Sequence, residues 1–73
     1  MAIPRHALRE RRQRLGITQR KLAALTGIHP VTYNRIERGH KMPDVAMAIR
    51  ILAALDLDLS RANDIFALDE PAS

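Results

Sequence analysis

Cysteine is absent from this chain, which rules out a disulfide framework, a thiolate metal site and a thiol nucleophile, and fits a reducing compartment. Aromatic residues are nearly absent: Tyr33 and Phe66 are the only two. A core built from this composition has to be aliphatic and rich in alanine, which favours packed helices. Long apolar runs are missing as well. None approaches the ~20 residues needed to cross a bilayer, and the opening MAIPRHALRE lacks the hydrophobic stretch of a signal peptide. A soluble, intracellular and therefore cytoplasmic protein is expected. Length is also short, at 73 residues, which leaves room for one domain with a small core and no second domain. The core is expected over about residues 5–68, with 69–73 as a flexible tail.

Acidic residues are scarce in the first half. From Arg5 to Arg38 there are nine Lys or Arg and only Glu10 and Glu37 against them, whereas from Asp56 onward acidic residues outnumber Arg61. The net charge is +4 and the pI about 10.7. A basic half of this kind suits a polyanion, with nucleic acid the first candidate. His6, His29 and His40 stand apart without metal-ligand spacing, so neither a metal nor a cofactor is expected. An enzyme is disfavoured because no nucleophile, base and pocket arrangement emerges.

Helical punctuation runs along the whole chain, with no strand alternation, repeat or low-complexity segment. Pro4 can open a first helix to about Leu15, closed by Gly16, with Leu8 and Leu15 on its thin apolar face. Arg12 falls on that same stripe, so a charge points inward and needs a partner. Thr18 is a good N-cap for a second helix from Gln19 to about Thr26, burying Leu22, Ala23 and either Leu25 or Thr26 before Gly27. Pro30 suits the first position of a third helix, with Tyr33 and Ile36 on one face and Gly39 beyond its end. Asp44 can cap a fourth helix carrying Val45, Ala48, Ile49, Leu52 and Leu55 inward. Ser60 is the expected cap of a last short helix bearing Ile65 and Phe66, and DEPAS reads as a frayed end.

Two helices joined by a glycine-containing turn of about three residues form a helix-turn-helix, whose second helix can enter the major groove of DNA. Ala23 lets the two helices approach closely, and Gly27 supplies the positive φ of the corner. With Tyr33 and Ile36 inward, Val31, Thr32, Asn34 and Arg35 lie on or near the opposite side, and His29 and Pro30 sit at the groove-facing end. Arg35 can bond the O6 and N7 of guanine, and Val31 or the Thr32 methyl can pack on a thymine methyl. Arg20 and Lys21 oppose the dipole of the second helix, which attraction to phosphate or simple solubility can offset. Arg38, His40 and Lys41 are further phosphate candidates. Arg9, Arg11 and Arg14 read as a solvated face, and Met42 and Met47 as packing residues.

The segments LRERRQRLGITQRKLAALTGI and YNRIERG, with Pro43 and ILAALDLDL after them, resemble the phage-repressor-like, Cro/C1 or XRE type, helix-turn-helix family of transcriptional regulators. The likeness covers roughly residues 8–59. It implies an all-α bundle of about five helices that binds operator double-stranded DNA, usually as a dimer. It also implies that Arg12 pairs with Glu37, and that Gln19 bonds the DNA backbone. His29 followed by Pro30 departs from the family, where Ser or Thr commonly caps the recognition helix, so a hydroxyl cap and a polar base reader are missing. A homodimer through the C-terminal region, around Leu57, Leu59, Ile65, Phe66 and Leu68, and a protein partner such as a toxin are left open. Those C-terminal side chains can equally close the core. The competing reading is an antitoxin or a protein-interaction module on the same fold, separated from a regulator by salt-dependent binding to duplex DNA.

Overall fold

Several element ends are set by a local group that satisfies free backbone donors or acceptors, although α1 begins without a side-chain cap. The computed structural model describes residues 4–66, and all regular structure among them is helical. Leu68 and the expected tail at 69–73 lie outside the described residues. Helix α1 spans His6–Arg14 and α2 spans Gln19–Thr26, with the Thr18 hydroxyl accepting from the Lys21 N–H at 3.0 Å. At the far end of α2, Gly27 adopts φ +71°, and the N–H of Ile28 returns to the carbonyl of Ala23 at 3.0 Å. This left-handed closure puts Ile28 into the core at once.

Helix α3, Pro30–Glu37, therefore begins only three residues after α2 ends. The missing hydroxyl cap is replaced: the His29 Nδ1 accepts from the Val31 N–H at 3.2 Å. Helix α4, Val45–Ala54, starts at Asp44, whose carboxylate accepts from the Met47 N–H at 2.7 Å. A 3₁₀ turn at Leu59–Arg61 leads into α5, Ala62–Phe66. The cap of this 3₁₀ turn corrects the sequence expectation, because Asp58 and not Ser60 supplies the acceptor, taking both the N–H and the hydroxyl of Ser60. A carboxylate accepts two donors at once, which leaves the hydroxyl as a donor to it.

Helix α2 packs against α3 and α4, and α1 against α3 and α5, with α4 also touching α5. The core they enclose contains Leu8, Leu22, Tyr33, Ile36, Ile51, Leu52, Leu55 and Phe66, all essentially inaccessible to water. Burying such side chains is worth about 1.5 to 3 kcal/mol each, so this set of six aliphatic side chains with Tyr33 and Phe66 carries most of the fold. Of the two alternatives Leu25 and Thr26, Thr26 is the buried one, and its hydroxyl bonds the carbonyls of Leu22 and Ala23. Two packing expectations change. Leu15 is exposed because it follows the last turn of α1 rather than continuing its face. In α4 the inward stripe is Ala48, Ile51, Leu52 and Leu55, while Val45 and Ile49 face water. Two overlapping helical stripes exist in that sequence, and contact with both α2 and α5 selects the one containing Ile51.

Candidate nucleic-acid interface

Helix α3 carries two faces of opposite character. Tyr33, Ile36 and Glu37 turn inward, whereas Val31, Arg35 and Arg38 are exposed and Thr32 and Asn34 half-buried. Val31 keeps 62% of its surface open to water. An apolar side chain left out on a short helix, one turn from Arg35, has no packing reason to be there. His29 and Pro30 at the start of α3 are exposed too, as are Arg20 and Lys21 on the first turn of α2 and His40 and Lys41 beyond α3.

Behind the exposed face runs a buried chain of polar groups. The Arg12 guanidinium donates two hydrogen bonds to the Glu37 carboxylate, at 2.9 and 2.8 Å, and a third to the Ile17 carbonyl at 2.8 Å. Both partners are almost fully enclosed. Burial disfavours the charge on Glu37, yet the hydrogen bonds from Arg12 and Gln19, with the nearby Tyr33 hydroxyl adding, outweigh it and hold its carboxyl below the ordinary value. Burial pushes the Tyr33 phenol far above its usual range, and its hydroxyl lies beside Glu37 and Arg12 without meeting hydrogen-bond geometry to either.

The polarity of this chain dictates how two amides must point. Ionised Glu37 only accepts, so Gln19 has to offer its Nε2, which it does at 3.1 Å. The Gln19 Oε1 is then left to accept from the Asn34 Nδ2, at 3.0 Å. Gln19 and Asn34 are thus held to one another at the base of α3, and Asn34 keeps its Oδ1 for an outside donor. A cleft of about 460 Å³ brings Gln19, Asn34 and Arg38 together with the Arg12–Glu37 pair. Arg20, Val31, Arg35 and Lys41 are not in its walls.

Two arginines have roles that the sequence does not reveal. Arg5 bonds the carbonyls of Ile36, Lys41 and Phe66 and the sulfur of Met42, and its backbone N–H reaches the Glu37 carbonyl. It thereby gives the Glu37 carbonyl its donor and the Ile36 carbonyl, which also accepts from the Gly39 N–H, a second one, and it ties this segment to the end of α5. Met42 is itself half exposed, while Met47 packs on the core as expected. Arg11, expected to be a solvated residue, is half-buried and donates to the Leu55 carbonyl at the end of α4, at 3.1 Å. The partners of these arginines lie 31 to 61 residues away for Arg5 and 44 for Arg11. No local pattern could signal them.

Comparison with known proteins places this architecture. The helix-turn-helix family profile matches residues 8–61. An uncharacterised HTH-type transcriptional regulator of Methanothermobacter thermautotrophicus is 39% identical over 66 residues, which are 90% of this chain and 93% of that protein. Among solved structures, the restriction-modification controller protein C.AhdI from Aeromonas hydrophila superposes with a TM-score of 0.72 at 29% identity, over 75% of this chain and 83% of its own. The clp gene regulator ClgR from Corynebacterium glutamicum gives a TM-score of 0.75 at 28% identity, over 84% of this chain and 65% of its own. With the family profile spanning both α2 and α3, and a close relative matched nearly end to end, the chain belongs to the Cro/C1 or XRE type of the helix-turn-helix family of DNA-binding transcriptional regulators.

Proposed function

We propose that this protein is a sequence-specific, repressor-like regulator that lays α3 in the major groove of its operator and works in the cytoplasm, where the operator is accessible. The exposed pair Val31 and Arg35, one turn apart on a helix whose other face is locked into the core, carries this reading. In it, Arg35 bonds a guanine edge, Val31 and Thr32 meet thymine methyls, and Asn34 offers its free Oδ1 to a base. His29 and Pro30 occupy the groove-facing end of α3. Gln19, Arg20, Arg38 and Lys41 hold phosphates, so they set register rather than sequence.

A second copy of the chain completes the unit, because operators read by such helices pair two half-sites about one helical turn of DNA apart. Ile65 and Phe66 cannot serve that contact, since both are buried in the core, and Leu57 packs against it. The apolar side chains still open to water on this side of the reading are Val45, Ile49 and Leu59. Selection of bound fragments from random duplex DNA tests the proposal: a recurring motif with two-fold symmetry is expected. Binding that ignores sequence, or none at low salt, would overturn it.

A further inference from the structure

Pro30 removes one free backbone donor from the start of α3, so the Val31 N–H is the first that needs an acceptor. The His29 Nδ1 supplies it, at 3.2 Å. A backbone N–H can only donate, so this ring nitrogen is unprotonated and the proton of the neutral imidazole sits on Nε2. The cap therefore fixes the tautomer. It also holds the ring, because a residue before proline is confined to extended backbone, and His29 has φ −60° and ψ 138°. His29 is exposed, two positions from the exposed Val31, and no carboxylate lies in the first turn of α3. Among the described residues nothing accepts from its Nε2–H. A donor of fixed polarity thus stands open at the groove-facing end of the helix.

Resting on the base-reading role given to α3 above, we propose that His29 is a specificity-determining residue that excludes cytosine from one operator position through its Nε2–H. Only a donor is offered, so the partner has to be an acceptor. In the major groove guanine presents N7 and O6, adenine presents N7 and thymine presents O4, whereas cytosine presents only its N4 amine. Against cytosine, the Nε2–H would lose its water and meet a second donor, the costly case for a desolvated polar group. Every other base on the facing strand gives it a partner. A hydroxyl cap would not impose this rule, since a rotatable O–H can donate or accept. The imidazole is also held before DNA arrives, which leaves less rotamer freedom to lose on binding. One residue thereby fills both vacancies that the lack of a capping Ser or Thr leaves, the helix cap and the polar base reader.

The test separates the cap from the donor. Total synthesis of the 73-residue chain with a methyl group on the His29 Nε2 keeps the Nδ1 acceptor and removes the outward proton. His29→Ser does the same without added bulk, since serine is a good N-cap. Bound fragments are selected from random duplex DNA with the native chain and with both altered chains. The native chain is expected to give one position depleted of cytosine, and the altered chains to lose that depletion while they melt near the native temperature and keep the other preferences. With cytosine placed at that position, the native chain should bind roughly fivefold more weakly, the low end for a contact of one bond, and His29→Ser should show no such penalty. Nitrogen NMR of the free protein should report the Nε2–H tautomer. An Nδ1–H ring, a selection unchanged by both alterations, or an equal loss on all sequences, which would make His29 a phosphate contact, would each overturn the proposal. If the native chain selects no motif at all, the regulator reading itself fails, whereas a motif without cytosine depletion removes only the role of His29.

Discussion

Arg35 and Lys41 are both exposed cations, yet the proposed geometry gives them different work. A guanidinium on α3 can form two parallel bonds to guanine, whereas a lysine after the helix meets phosphate as a point charge. Arg35→Ala should cost about 1 to 3 kcal/mol on the selected operator and relax preference at one base pair, with non-specific binding nearly intact. Lys41→Ala should weaken every sequence alike and reduce the salt slope by about one. Equal loss on operator and random DNA for Arg35→Ala would make it a phosphate contact and pass base reading to Val31, Thr32 or Asn34. Arg12 is a structural residue by contrast. Removing it leaves Glu37 buried with an unmatched charge, so Arg12→Ala is expected to destabilise the fold by about 3 to 5 kcal/mol in chemical denaturation. Glu37 also predicts the pH response. Its carboxyl is held below the ordinary 4.5 in the folded state, so the stability it contributes is complete above that value and fades as pH falls through the lower folded one. Thermal melts from pH 6 downward should show this loss in the native chain and a much flatter curve in Arg12→Ala.

At the scale of the element, the corner between α2 and α3 is governed by backbone conformation rather than space. A Cβ placed on Gly27 would meet no atom within 4 Å, yet φ is +71°. Gly27→Ala should therefore cost only the left-handed strain, about 1 to 2 kcal/mol, and Gly27→Asn less, because asparagine tolerates that region. Equal stability of the alanine variant would mean the corner had changed shape. The caps belong to the same scale. Thr18, Asp44 and Gly27 are visible as helix punctuation because each acts within two or three residues of itself. His29 is less so, since an imidazole acceptor at an N-cap depends on the tautomer and ring angle that the neighbouring Pro30 permits.

For the whole molecule, the segregation of basic and acidic residues sets association with DNA. With Arg20, Arg38 and Lys41 on phosphates, the logarithm of the binding constant should fall against that of salt with a slope of about −3 per chain, and flat dependence would exclude the proposed interface. In the proposed dimer, the second copy meets Val45 and Ile49 of α4 together with Leu59. Ile49→Glu should shift sedimentation toward a single chain and weaken binding to a two-fold operator more than to one half-site, with stability within about 0.5 kcal/mol of the original because Ile49 already faces water. Unaltered sedimentation would move the dimer contact elsewhere.

Local pattern alone determines the all-helical character, the glycine corner, the Thr18 and Asp44 caps and the inward side of α3, because each depends on residues within one or two turns. The family likeness supplies the pairing of Arg12 with Glu37, and two short hydrogen bonds join the two side chains. Packing decides what periodicity leaves ambiguous, Ile51 over Ile49 and Thr26 over Leu25, whereas Asp58 over Ser60 is a choice between two local acceptors. The clasps made by Arg5 and Arg11, and the cleft that gathers Arg9, Gln19, Asn34 and Arg38, exist only once helices distant in sequence meet. Guanidinium groups are long, flexible and satisfied by any properly placed carbonyl, so their partners are chosen by tertiary geometry and leave no trace in the order of the residues.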